Sequence, residues 1–333
     1  MILNPAVIAL LTVSGAGTLF ALYGSTQAVR ILRHWDLASG SELQLEMERR
    51  TYLISTIMGW VAAFELASLF LFAHTADRVH TLFVGAMCAA GSLNVNEYGY
   101  PALVLKMAVF TACGVWLIVN AVDNRGYDYP LIRTKYRLLL VLAGLMLLET
   151  VFLFRYFAGL QADVITSCCG TLFSEDAESV GGDMASLPSY GAKIVFFTSM
   201  AMAVRAGLHV AITGRGARVF SLIAAWSMLF CFLAIVSFVS VYFYELPTHH
   251  CPFCLLQGDY HFIGYPLYLS LFLGGVGGLS VGLLERVKGP ESLSRVIPLF
   301  QRRLSTAALV GFLAFTLITV YPMVFSDFVL EGY

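Results

Sequence analysis

Glu245-Leu-Pro-Thr-His-His-Cys-Pro-Phe-Cys-Leu-Leu-Gln-Gly-Asp-Tyr-His261 is a polar break between two apolar runs, at about 219–243 and 262–284. Each run reaches the roughly 20 residues that a helix needs to cross the hydrocarbon of a bilayer. The stretch therefore reads as a loop between two membrane helices, and the pattern recurs along the chain. Further apolar runs at about 5–27, 51–73, 101–121, 138–158, 191–213 and 305–325 bring the expected number of membrane helices to eight.

Composition agrees with that reading. The 333 residues are 59% hydrophobic and 12% charged, with a mean hydropathy of +0.78. A soluble domain carries about 25% charged residues. The expected fold class is an all-α, polytopic membrane helix bundle embedded in lipid, one integral domain over residues 1–333. No segment is left over for a large soluble domain, and no basic stripe suits nucleic acid.

Basic residues sort onto alternate loops. Arg30, Arg33, Arg49 and Arg50 follow the first run, and Arg125, Arg133, Lys135 and Arg137 the third. Arg215 and Arg218 follow the fifth, and Arg286, Lys288, Arg295, Arg302 and Arg303 the seventh. Loops rich in Lys and Arg stay in the cytoplasm, so both termini are expected outside. The first run lacks a basic leader and a small-residue cleavage site, and reads as a retained helix beginning at Asn4-Pro5.

This topology places five of the seven cysteines outside: Cys88, Cys168, Cys169, Cys251 and Cys254. Cys113 and Cys231 fall within helices, where a thiol is usually a small hydrophobe. His74, His80, His249, His250 and His261 share the outer side. Two thiols spaced as Cys251-Pro-Phe-Cys254 can close a disulfide or bind one metal ion as paired thiolates. On the redox reading Cys251–Cys254 exchanges with the vicinal pair Cys168-Cys169, whose disulfide would be strained and easily reduced. On the metal reading His249, His250, Cys251, Cys254 and His261 supply ligands for zinc or copper. A third reading makes the cysteines structural, in a subunit whose membrane partners do the work.

The segment around residues 219–284, with Cys251-Pro-Phe-Cys-Leu-Leu-Gln257 between two helices, resembles the Cys-Pro-x-Cys-x-x-Gln-Arg segment of the DsbB disulfide-bond oxidases. It departs at Gly258, where that family has an arginine tied to quinone binding. The resemblance implies a thiol-disulfide oxidoreductase in the bacterial inner membrane, its cysteines on the outer face. It further implies a quinone as electron acceptor and a thioredoxin-like extracytoplasmic protein as partner.

Glu65 in the second run, Lys106 in the third, and Glu149 and Arg155 in the fourth are charges at comparable depth. Charges at such depth pair or serve a proton path, and at least one acid is expected within ion-pairing distance of Lys106 or Arg155. Cys88 sits in a piece of about 12 apolar residues, too short to span, read as re-entrant or interfacial. The lone intramembrane His209 does not give the facing pair that a transmembrane haem takes, so no such haem is expected.

A weak repeat is also visible. Cys88 precedes Tyr98-Gly-Tyr-Pro101, and Cys254 precedes Ile263-Gly-Tyr-Pro266 at nearly the same interval. Residues 51–213 and 219–325 are the candidate repeat units.

Overall fold

The computed structural model describes residues 2–162, 164–166, 173 and 180–330. Among them, eight helices are long and apolar enough to cross a membrane. These are α1 (Pro5–His34), α2 (Glu42–Val79), α3 (Gly99–Asp123), α4 (Ile132–Ala158), α5 (Ser189–Thr213), α6 (Ala217–Tyr244), α7 (Gly264–Arg286) and α8 (Val296–Phe325). The described residues contain no strand, just one isolated bridge, between Val84 and Ile165. The chain is an integral membrane protein of the all-α, polytopic class.

Local chemistry sets the helix ends. Asn4 caps α1, its side-chain oxygen accepting from the Ala6 amide at 2.9 Å, and Pro5 opens the first turn with a preset φ. α5 ends on Gly214 and α6 begins after Gly216, both in left-handed conformations that glycine adopts without strain. Pro101 and Pro266 each sit in the first turn of their helix, α3 and α7, where a missing amide proton costs nothing.

Some helices outrun their apolar cores. α2 begins nine residues before the 51–73 run, because Glu42 to Arg50 contains no breaker and is tied by helical pairs such as Gln44 to Glu48 at 2.9 Å. α4 begins at Ile132 because Lys135 is buried against Asp123 rather than solvated, while Asp123 also accepts from the Leu131 amide at 2.8 Å.

The chain divides into two compact units. The first comprises residues 1–73, 96–160 and 286–299. Within it α4 packs on α1 and on α3, around a core of Ala21, Ala28, Ile54, Met58, Cys113, Trp116, Leu139 and Met146. Gly17 and Gly24 let α1 approach closely, since a Cβ at Gly24 would lie 3.1 Å from Leu139.

The second unit comprises residues 74–95, 161–285 and 300–333. Here the glycines of α7 face two neighbours. A Cβ on Gly278 would lie 2.2 Å from that of Ala224 on α6, and one on Gly274 would lie 2.8 Å from the Phe312 ring on α8. In lipid, where no hydrophobic effect drives helices together, such small-residue faces permit the close packing that does. α6 carries a π turn at Ile235–Val239, which releases backbone carbonyls from the regular ladder.

A candidate three-cysteine metal centre

Three thiols converge in the second unit. Cys88 and Cys251 have their sulfurs 3.6 Å apart, and the sulfurs of Cys88, Cys251 and Cys254 all lie within 4.8 Å of one another. All three are buried, with relative exposures of 0%, 0% and 5%. The five described cysteines are free thiols.

Each sulfur is delivered by an irregular piece of chain. After α2 a 3-10 turn, His80–Leu82, leads through Gly85, in a positive-φ conformation, to Cys88, which precedes the short buried helix Ala89–Leu93. Thr166 secures this segment, its hydroxyl donating to the Gly91 carbonyl at 2.9 Å and its amide to that of Val84 at 3.0 Å. On the other side α6 stops at Glu245 in a left-handed conformation; the irregular loop that follows carries Cys251, and a 3-10 turn Cys254–Leu256 presents the third sulfur.

Hydrogen bonds lock the two pieces together. The Gln257 amide donates at 3.0 Å to the Asp77 carboxylate and at 3.0 Å to the Met87 carbonyl, one residue from Cys88. The Tyr244 hydroxyl donates to the Cys251 carbonyl, and the Tyr268 hydroxyl donates to the Pro252 carbonyl at 2.7 Å. The loop is therefore clamped from α6 and α7 as well as from the Cys88 segment. Supporting bonds of this kind fix first-ligand geometry in metal sites.

The spacing suits a soft metal ion. Zinc–thiolate bonds are about 2.3 Å, which places sulfurs about 3.8 Å apart in a tetrahedral array and about 4.0 Å apart in a trigonal one. Sulfurs between 3.6 and 4.8 Å reach that geometry with shifts of about an ångström. An all-sulfur donor set is what copper(I) and zinc take in preference to harder ions. The chain thus carries a buried cysteine triad able to hold a metal ion.

The histidines of the metal reading are placed elsewhere. His249 packs edge-on against the Tyr244 ring, with centroids 4.6 Å apart. The His250 ring pairs through Nδ1 with the Val236 carbonyl in the π turn at 2.9 Å. His261 is exposed, in a left-handed turn. Among the described residues no histidine or carboxylate joins the three sulfurs within 4.8 Å. Cys168 and Cys169 lie outside the described residues.

The charged side chains gather in the first unit. Lys106 Nζ lies 3.1 Å from Glu65 and 3.0 Å from Glu149, with all three side chains fully buried. Arg155 stands apart, exposed and 5.9 Å over the Tyr98 ring. In the sequence Cys88 is one of five outer cysteines, in a short apolar piece, and nothing there marks Tyr244 or Tyr268 as clamps. Only Gln257 left a signal, as the last residue of the quoted Cys-Pro-Phe-Cys motif.

The chain matches no family model, no curated protein and no solved structure.

Proposed function

We propose that this integral membrane protein binds a soft d10 cation, copper(I) or zinc(II), on the thiolates of Cys88, Cys251 and Cys254. The supporting observation is the convergence of three buried sulfurs from segments 163 residues apart in sequence. A dithiol meant for exchange with a separate protein needs an accessible sulfur, because the attacking thiolate must reach the partner's disulfide. These sulfurs are covered, as ligands of a held ion are. The distribution of Lys and Arg supports an outward-facing site, in keeping with a bacterial cytoplasmic membrane whose outer side supplies the metal.

The 3.6 Å Cys88–Cys251 separation also supports a second reading, thiol-disulfide exchange. With Cys251 and Cys254 joined, the Cys88 thiolate would attack Cys251, form a Cys88–Cys251 disulfide and release Cys254 as thiolate. The electron pair stays within the sulfur set, and net oxidation would need a quinone of the kind that the DsbB-like segment implies.

Elemental analysis after anaerobic loading with copper(I) or zinc separates the readings, combined with mass spectrometry of alkylated protein. Metal binding requires one ion per chain and protection of all three thiols from alkylation. Absence of bound ion with a Cys251–Cys254 or Cys88–Cys251 disulfide as isolated would favour exchange.

A further inference from the structure

The trio of Glu65, Lys106 and Glu149 does not balance its charge. Two carboxylates face one ammonium, all without exposure to solvent. Fully ionised, the cluster would carry one surplus negative charge among apolar helices, where burying an unpaired ion is costly. α1 contributes Ser14, whose hydroxyl is 2.9 Å from Lys106 Nζ and 3.4 Å from Glu149, and α2 contributes Ser68, 2.7 Å from Lys106 Nζ and 2.9 Å from Glu65 Oε2. α3 adds the buried Cys113, a neutral thiol, and α4 adds Thr150, 3.5 Å from Glu149 Oε2. None of these brings a second positive charge.

One oxygen is left over. Glu65 Oε1 is buried and has no hydrogen-bond partner among the described residues, while Oε2 takes both Lys106 and Ser68. A carboxylate oxygen bearing part of a negative charge is expensive to leave so; an oxygen of a neutral carboxylic acid costs much less. We propose that Glu65 and Glu149 together hold one proton, which makes the trio a proton-binding site within the first unit. The ligand is a proton, and its acceptor on release is water or a hydroxyl. Two hydroxyls lead away from the site: Thr150, 3.5 Å from Glu149 Oε2, then Thr18, 2.8 Å from Thr150. Hydroxyls both donate and accept, so they can pass a proton along such a line.

Infrared spectra of the full-length protein in liposomes at neutral pH test the charge count through the carbonyl stretch of protonated carboxyl groups. The wild type should show this band. Glu65→Gln and Glu149→Gln should each abolish it, because one carboxylate then balances Lys106. Lys106→Met should double its intensity, since both acids must then be neutral. Absence of the band in wild type, its persistence in either glutamine variant, or no gain in Lys106→Met would overturn the proposal. Should Lys106→Met fail to fold, the wild-type and glutamine spectra still decide it.

Discussion

Cys88 Sγ lies 3.6 Å from Cys251 Sγ, although 163 residues separate them in the chain. Neither segment is a regular helix at that point, so the approach depends on the bonds that hold two loops in register. The triad should therefore respond to its clamps as well as to its ligands.

Cys88→Ser removes one of three sulfurs. Affinity for copper(I) or zinc should fall by more than the 10–100-fold that loss of a supporting residue typically costs. Competition titration against a chelator measures this. Because bound thiolates must shed their protons, affinity should also weaken as pH falls, with proton release on binding.

Gln257→Leu keeps the three cysteines and removes both clamps to Asp77 and Met87. Metal affinity should drop about 10–100-fold. Stability should fall by about 0.5–1.5 kcal/mol, since Asp77 and the Met87 carbonyl lose a donor but remain within reach of water. Chelator competition and a thermal melt in detergent read the two effects separately.

Much of this architecture is written in hydrophobic runs. Eight apolar stretches of about 20 residues became eight helices because a helix satisfies its backbone hydrogen bonds within the one segment, whereas a strand in lipid needs a closed barrel of partners. Their true lengths were less legible. The charged stretch Glu42–Arg50 continues α2, and Lys135 is drawn into α4 by a tertiary partner, Asp123. The site was half legible. Cys251 and Cys254 announce themselves by spacing, whereas Cys88, beside Met87 in a short apolar piece, gains its meaning from a contact that no local pattern records. The dense His249-His250-Cys251 run pointed to histidine ligands, but the Tyr244 ring and the carbonyl of Val236 in the π turn engage those rings. Among the intramembrane charges, Lys106 rather than Arg155 meets the acids, a choice fixed by helix rotation.

Gly278→Ala inserts a methyl group where Ala224 already stands, 2.2 Å from the new carbon. α6 and α7 must separate, and overpacking of this kind costs about 1–3 kcal/mol. A lowered melting temperature should result; an unchanged one would mean that the glycine face of α7 does not set its packing.

Asp123→Asn strands Lys135 in a buried position. Removing one partner of a buried pair costs about 3–5 kcal/mol, whereas replacing both by apolar residues is often neutral. Asp123→Leu combined with Lys135→Met should recover much of the melting temperature lost in Asp123→Asn. No recovery would show that the Asp123–Leu131 amide bond, rather than the ion pair, holds the turn between α3 and α4.

The most direct test of the metal centre is X-ray absorption at the metal edge, on protein loaded anaerobically with one equivalent of copper(I) or, separately, zinc. The expected result is a shell of three sulfur neighbours at about 2.3 Å for at least one ion, reduced to two in Cys88→Ser. A shell of nitrogen or oxygen for both ions, or three sulfurs retained in Cys88→Ser, would contradict a site built on Cys88, Cys251 and Cys254.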